Sequence, residues 1–326
     1  VPIMLNLLRN LTLRQLQIFS AASQYESFAR AADTLHLTQP AVSMQIKQLE
    51  EAIGVPLFER IGRRIALTEA GSTLSHHAKR ILGDIEDAED AMRCLSSADG
   101  GNISIGIVST ARYFIPRQIA RYVERQPKVN ISFSIGKRDV LLRQLQDNEI
   151  DLAVMGPPPV ELDAHSEPLA YNPHVVVAGT NHPFIDAACF DLHEMRSDTF
   201  LMREPGSDTE GVASEMFRHH LFTPARTLTC DSNETIKQAV AAGIGVSVLP
   251  LHTLRLELLT GEVSVLHVNG TPINRVWHVV HMKAKRMSPT CVAFRRFLIE
   301  KSGAWLEGQF ADLTPHDPAA RPFVQI

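Results

Sequence analysis

Between Gln39 and Lys47 the chain reads QPAVSMQIK, and its polar residues recur at helical spacing. At about 100° per residue, Pro40, Met44 and Lys47 fall on one side of a helix. Val42, Ile46, Leu49 and Ile53 fall on the other. Ser43 sits at the edge of the outward face and Gln39 at the helix start. Glutamine pairs with adenine, serine with several base edges, and lysine with phosphate or guanine, while methionine offers apolar contact to a thymine methyl. The chemistry such a face can do is to read base-pair edges in a major groove. An ordinary solvated helix face could carry the same residues, so the neighbouring elements decide.

Those elements support the groove reading. Thr38 offers an N-cap hydroxyl, and Pro40 lies just inside the helix, where its missing N–H costs nothing. Upstream, Phe28, Ala31, Ala32 and Leu35 form an i, i+3, i+4, i+7 stripe. The span Ser27 to Ile46 therefore predicts a helix-turn-helix. Leu13, Leu16, Phe19 and Ala22 give a third stripe that closes a three-helix core. Downstream, Pro56 to Arg60 and Gly62 to Leu67 read as a β-turn-β wing, with Arg63 and Arg64 at its tip and Arg60 nearby. Cations there suit flanking phosphates or the minor groove. The candidate DNA contacts are Ser27, Phe28, Thr38, Gln39, Pro40, Ser43, Met44, Lys47, Arg60, Arg63 and Arg64.

A long helix follows, with Thr68 as its N-cap and Glu69 in the first turn. Leu74, Ala78, Ile81, Ile85, Ala88, Met92 and Leu95 are spaced four, three, four, three, four and three residues apart. That is a heptad seam. From 68 to 96 it would run roughly 43 Å. A second copy of the chain is the favoured partner for the seam, since two-fold DNA half-sites suit a dimer. Packing on the chain's own winged helix is the alternative.

The chain of 326 residues has 32 Lys and Arg against 36 Asp and Glu, a net charge of −4. DNA meets the local charge of the wing and recognition helix rather than this sum. With 44% hydrophobic residues the chain can bury full cores. No apolar run reaches the roughly 20 residues of a membrane span, and the first ten residues lack a convincing signal peptide. A cytoplasmic protein with no membrane partner is expected. The four cysteines, Cys94, Cys189, Cys230 and Cys291, form no CxxC pair, so neither a zinc site nor a disulfide framework is indicated.

Beyond a short hinge near Gly100 and Gly101 the pattern changes. Strands at 102–108, 131–135 and 150–155 alternate with helices that begin at Ser109-Thr110 and near Val140. That order predicts a parallel α/β sheet. Strands at 175–178, 200–203, 227–230 and 245–249, with a helix at 236–242, build a second lobe. Residues 277–282 return to the first lobe, and 292–299 form a closing helix. The expected organisation is a winged helix-turn-helix (1–67), a linker helix (68–98), a two-lobe α/β effector domain (99–310) and an irregular tail (311–326). Lobe I covers about 102–165 and 272–302, and lobe II about 170–268. A hinged cleft implies a small ligand at the carboxyl ends of the strands. Ser109 and Thr110 lie at such a place, as do Gly206, Ser207 and Thr209, and Arg203 could pair with an anion. Taken singly, each of these hydroxyls is better explained as a helix cap.

Taken together, the chain resembles the LysR-type transcriptional regulators. The resemblance is carried by Ser27–Ile46, LEEAIGVPLFER (Leu49–Arg60), Leu67-Thr68-Glu69-Ala70-Gly71, Arg203-Glu204-Pro205-Gly206-Ser207 and Ser232–Gly243. It implies an effector domain like the periplasmic binding proteins, with inducer held at the Ser109-Thr110 and Arg203–Thr209 loops. It also implies a homodimer or homotetramer that bends operator DNA and works with RNA polymerase. Asp208 stands where many relatives carry glycine, and Glu210 where a basic residue is common. The runs TQPAVSMQIKQLEEAIG and SNETIKQAVAAGIGVSVLPLHT, and Met44 itself, are most similar to the CbbR-type regulators of Calvin-cycle operons. For that group the resemblance implies activation in response to phosphorylated or nucleotide metabolites. A LysR-type regulator of another operon, such as one for aromatic catabolism, and a solute-binding module without regulatory role are the alternatives. Enzyme readings fail: Gly243-Ile244-Gly245 lacks the third glycine of a dinucleotide loop, and there is no P-loop lysine motif or GxSxG elbow. No catalytic residue, metal site or cofactor is expected.

Overall fold

Three hydroxyl caps start the N-terminal helices. Thr12 caps α1 (Leu13–Tyr25) in a reciprocal box with Gln15. Ser27 caps α2 (Phe28–Leu35) by accepting from the Arg30 N–H at 3.3 Å. Thr38 caps α3 (Gln39–Ile53), which ends at Gly54 in the left-handed region with φ 88°. Strands β1 (Phe58–Ile61) and β2 (Arg64–Leu67) pair antiparallel as the wing, and α4 (Glu69–Ser96) follows. The computed structural model describes residues 11–61, 64–96 and 100–310. Arg63 and the tail 311–326 lie outside the described residues, as does the side chain of Leu95.

The three-helix core closes on Leu16, Ile18, Phe19, Ala22, Ala31, Ala32, Val42, Ile46, Leu49, Leu57 and Ala78. The Phe58 ring of the wing meets Phe19 at 5.5 Å and Phe28 edge-on at 5.2 Å. The first stripe is rotated from expectation. Leu13, at the first helical position, is half exposed, while Gln15 and Ile18 turn inward. Gly71 has a steric reason: a Cβ there would lie 2.0 Å from the Leu57 carbonyl oxygen, so only glycine lets the start of α4 approach the wing.

The second compact unit is built mainly from residues 99–142 and 151–285. Its strands are β3 (Gly101–Ile107), β4 (Val129–Ile135), β5 (Leu152–Met155), β6 (Ala164–Gly179), β7 (Thr199–Arg203), β8 (Arg226–Cys230), β9 (Val246–Pro250), β10 (Val263–Leu266) and β11 (Ile273–Met282). The helices between and after them are α5 (Ile115–Val123), α6 (Arg138–Gln146), α7 (Asp208–His219), α8 (Asn233–Ala241), α9 (Arg255–Thr260) and α10 (Pro289–Phe310). The hydrogen-bonded order is β4-β3-β5-β11-β6-β9-β7-β8, with β10 on β6. Strands β3, β4 and β5 run parallel, as do β7, β8 and β9. Strands β6 and β11 are antiparallel and pair along the whole of β11, from Ile273 opposite His174 to Met282 opposite Ala164. Strand β5 and the first half of β6 serve one lobe; the second half of β6 pairs with β9 and β10 in the other.

The crossing is packed with aromatic rings. Trp277, 2% exposed, stands at the register shift of β11. Its ring meets Phe114 at 4.7 Å and His252 at 5.3 Å, and Phe310 meets His252 at 4.9 Å. Phe310 ends α10 far beyond the expected closing helix of 292–299. The extension buries Leu306 and Phe310, and Phe310 joins the lobe II core with Leu249, Leu251 and Leu254. In α5 the buried side chains are Ile115, Gln118 and Tyr122.

Two histidines are sealed in this crossing. Burial depresses His174 to about 3, against the help of the Asn172 carbonyl, and His252 to about 4, against that of the Tyr171 carbonyl. Both folded values lie below the ordinary 6.5, so the unfolded chain takes up protons first. The stabilisation of the neutral rings is therefore whole above pH 6.5 and is lost as pH falls toward 4, by about 1.4 kcal/mol per pH unit for each ring. Burial lowers His220, His278 and His281 as well. Urea unfolding at pH 7 and pH 5 tests this. The stability gap between the two pH values should shrink by up to about 2 kcal/mol in His252→Gln relative to wild type. An unchanged gap would show that His252 titrates normally.

Candidate DNA interface and effector cleft

The recognition helix α3 is held by its inner face and left open on its outer one. Val42, Ile46 and Leu49 are buried, whereas Gln39, Pro40, Met44, Lys47 and Gln48 are exposed, Met44 by 53%. Gln39 Nε2 donates to Ser43 Oγ at 3.2 Å, so these two candidates form one polar unit one turn apart. Lys47 meets Glu51 at 3.8 Å in an exposed pair of little energetic weight. Gln48 lies on the same open face, one turn beyond Met44, and sequence reasoning missed it.

Three sequence candidates have structural duties. The Ser27 and Thr38 hydroxyls are helix caps, and Phe28 packs into the core against Phe58. On the wing, Arg60 is opposite Ile65 and Arg64 opposite Ile61. Alternation along a strand therefore sends the two exposed arginines to opposite faces of the ribbon. Wing and recognition helix are tied by Glu50, whose Oε1 accepts from the Leu57 N–H at 2.7 Å and the Phe58 N–H at 3.2 Å. Thr68 completes the frame: its hydroxyl donates to the Pro56 carbonyl at 2.8 Å and accepts from the Gly71 N–H at 3.0 Å.

The heptad seam divides. Leu74 and Ala78 pack into the core of the winged helix itself, which corrects their assignment to a partner-facing seam. The same stripe is uncovered farther along: Ile81, Ala88 and Met92 are exposed and Ile85 is half-buried. Asp84, Ile85, Ala88, Glu89 and Met92 line a shallow apolar groove of about 490 Å³.

In the second unit the candidate cleft lies where the strands end, as expected for an open α/β sheet. Thr110 is buried and Ser109 partly so, in a 3-10 turn (Ser109–Tyr113) after β3. Gly206 takes φ 85°, and Ser207 stands at the start of α7 without a side-chain cap bond. Thr209 is buried. Arg203 is the main correction. Its guanidinium is 7% exposed and already engaged, with Nε and Nη2 donating to the Glu204 carboxylate at 2.8 and 3.0 Å and Nη1 to Asn233 Oδ1 at 2.7 Å. The adjacent glutamate satisfies the cation, which the sequence reading had left free for a ligand.

Cross-lobe polar contacts line the same region. Lys137 meets Glu204 at 3.8 Å and Arg138 meets Asp208 at 3.8 Å. The Tyr113 hydroxyl donates to Glu234. Lys237, 3% exposed, is surrounded by Glu257 at 2.7 Å, Glu234 at 3.0 Å and the Thr253 carbonyl at 3.0 Å. Burial pushes the Glu204 carboxyl up, but hydrogen bonds from Arg203 and the charges of Arg203 and Lys137 outweigh it and leave it below its ordinary value. Burial, then Glu234, push the Tyr113 hydroxyl up. The buried Asn233 Nδ2 has no hydrogen-bond partner among the described residues, which leaves a donor for a ligand. Its signal lay in the SNET run, where only the cap serine invites attention. Among the described residues no group of His, Cys, Asp or Glu could hold a metal ion, and no helix is long and apolar enough to cross a membrane.

Two family models match. "Bacterial regulatory helix-turn-helix protein, lysR family" covers residues 13–72, and "LysR substrate binding domain" covers 96–303. The HTH-type transcriptional regulator CfxR of Cupriavidus necator is 54% identical, over 96% of this chain and 98% of its own length. The RuBisCO operon transcriptional regulator of Allochromatium vinosum is 38% identical, over 90% and 97%. Among solved structures, the regulatory domain of CcmR from Synechocystis PCC6803, in complex with 2-PG, is 31% identical with a TM-score of 0.57, over 62% of this chain and 97% of that one. Full-length CbnR complexed with its target DNA shares the fold, with a TM-score of 0.66 at 22% identity, over 90% of this chain and 100% of that one.

The Glu50 tie makes a specific prediction. Glu50→Ala removes a charged acceptor from two backbone donors, each such bond contributing about 1.5–3 kcal/mol. The variant should lose stability on this scale and bind DNA more weakly, with the salt dependence of binding unchanged because no phosphate contact is removed. Denaturant unfolding and salt-titrated DNA binding check it; a wild-type midpoint would refute the role of Glu50.

Proposed function

The chain belongs to the LysR family of bacterial DNA-binding transcriptional regulators, and from that premise we propose that it activates carbon dioxide-fixation (RuBisCO) operons in response to a small phosphorylated metabolite. The observation that carries this reading is likeness along the whole chain, head and effector domain together, to regulators named for such operons. Similarity to the CcmR domain bound to 2-PG supports a small-molecule effector in the cleft.

In this reading the domains are a winged helix (1–67), a linker helix (68–98) and an effector domain (99–310), whose lobes span about 102–165 with 272–302 and about 170–268. Gln39, Pro40, Ser43, Met44, Lys47 and Gln48 meet base edges and backbone in the major groove, and Arg60, Arg63 and Arg64 reach flanking phosphates. Met44 supplies apolar contact, so part of the site is read through thymine methyls or DNA shape. Two chains join through Ile81, Ile85, Ala88 and Met92, and two such dimers bend the DNA between half-sites. Ser109, Thr110, Ser207 and Asn233 hold the effector, which alters lobe geometry and hence the bend seen by RNA polymerase. Couplings of about 1–3 kcal/mol suffice for such control. The protein works in the bacterial cytoplasm.

Gel shift with the promoter region of a RuBisCO operon against a scrambled duplex tests the premise, and equal affinity for both defeats it. Ser43→Ala and Met44→Ala should narrow the gap between the two duplexes. Arg64→Ala should weaken binding to both and reduce the salt slope by about one unit. Footprints with and without 2-PG test the bending step, which predicts a changed pattern of protection.

A further inference from the structure

We propose that Asp208 is a resident anion of the effector cleft: its carboxylate holds, against Arg138 of the opposite lobe, the place that an acidic group of the ligand takes on binding. The inference rests on the reading of the cleft as the seat of an anionic effector. Under it, the ligand-free protein already has its lobes tied, and the effector enters by exchange rather than by filling an empty cation site.

The geometry singles out this carboxylate. Asp208 is the first residue of α7, where unsatisfied backbone N–H groups favour negative charge. An ordinary acid at that position would serve its own helix. Here the side chain instead reaches the other lobe: it lies 3.8 Å from Arg138 Nη1, and a Cβ on Gly156, beyond the end of β5, would meet its Oδ2 at 3.8 Å. Arg138 is itself steadied by donating to the Pro157 carbonyl. The neighbouring cations differ. Arg203 is clasped by Glu204 and Asn233, and Lys237 is enclosed by two glutamates and a carbonyl. Glu204, the partner of Lys137, is likewise held by Arg203, whereas Asp208 stands at the exposed first position of α7 with Arg138 as its ion-pair partner. Burial pushes the Asp208 carboxyl up, and the charges of Arg138 and Arg275 offset this only in part.

The test uses full-length protein, with 2-PG and inorganic phosphate as probes in calorimetric titration. Asp208→Asn should bind 2-PG about tenfold more tightly than wild type, equivalent to about 1.4 kcal/mol. Arg138→Gln should weaken binding in both backgrounds. Glu210→Gln removes a charge from the same first turn, but that carboxylate accepts from Ser214 Oγ at 2.6 Å, so affinity should stay as in wild type. Without ligand, amide hydrogen exchange at 137–141 and 205–210 should be several-fold faster in Asp208→Asn than in wild type. Unchanged or weaker binding by Asp208→Asn overturns the proposal, as does an equal gain from Glu210→Gln. If neither probe binds either protein, the anionic-effector reading falls and the exchange step with it. Faster amide exchange in Asp208→Asn then still supports the interlobe tie, and unchanged amide exchange removes that too.

Discussion

The pairing of β6 with β11 is the constraint on which the effector domain depends. Strand β6 runs from one lobe into the other, and β11 is bonded along its whole length to the first part of β6. A pair of extended strands resists stretching but tolerates twist, and its twist is softest where the ladder slips. The slip falls between Trp277 and His278, and Trp277 is the ring clamped by Phe114 from one lobe and His252 from the other. Lobe motion must therefore slide or tilt rings across a buried indole. Packed cores of this kind favour a few discrete arrangements over a continuum. The position of the cleft follows from the same pairing. Because parallel strands flank the pair in each lobe, their carboxyl ends, and the loops that bear Thr110, Arg138, Glu204 and Asn233, come to line one crevice.

The DNA-binding head solves a different problem with few residues. A winged helix must hold a helix by one face while leaving the other to read DNA. Here the apolar face is closed by small residues, Ala22, Ala31, Ala32 and Val42, which let the three helices approach closely, and by the Phe19, Phe28 and Phe58 rings. Glu50 then fixes the wing to the recognition helix through two backbone N–H groups, so the position of the arginines follows that of α3. The net charge of −4 of the whole chain does not conflict with this. Screening over about 10 Å makes phosphate binding a matter of the local surface rather than of the summed charge.

Much of the architecture was legible in the sequence because it rests on periodicity and caps. Ser27, Thr38 and Thr68 marked helix starts, and the βαβαβ run marked the parallel part of the first lobe. The errors share a cause: each turned on a contact, or the lack of one, that spacing along the chain does not report. Leu13 fits its stripe as well as Leu16 does, but among the described residues no element covers the first position of α1. Leu74 and Ala78 belong to the heptad by spacing, yet the winged helix claims them first. Gln118 breaks the apolar pattern of α5 and is nonetheless fully buried. Arg203 looked free because its acceptors are the next residue in the chain and Asn233, and spacing alone does not reveal a guanidinium folded back on its neighbour.

The cleft brings these points together. A site built to hold an anion is often pictured as a set of waiting cations, but lone cations at a half-buried surface carry a desolvation cost that must be met in the ligand-free state. In this chain Lys137, Arg138, Arg203 and Lys237 each face a carboxylate of the same chain. Two of those pairs, Lys137–Glu204 and Arg138–Asp208, join opposite lobes. In those two pairs charge neutralisation and lobe geometry are the same contacts. A ligand that replaces one of these carboxylates must change the tie between lobes as well as the occupancy of the site, because a ligand shifts an equilibrium only by what it contacts differently in the two states. A neutral molecule of similar size would fill the crevice and leave the ties standing. In such a cleft, selectivity for charge and the power to switch have one physical origin.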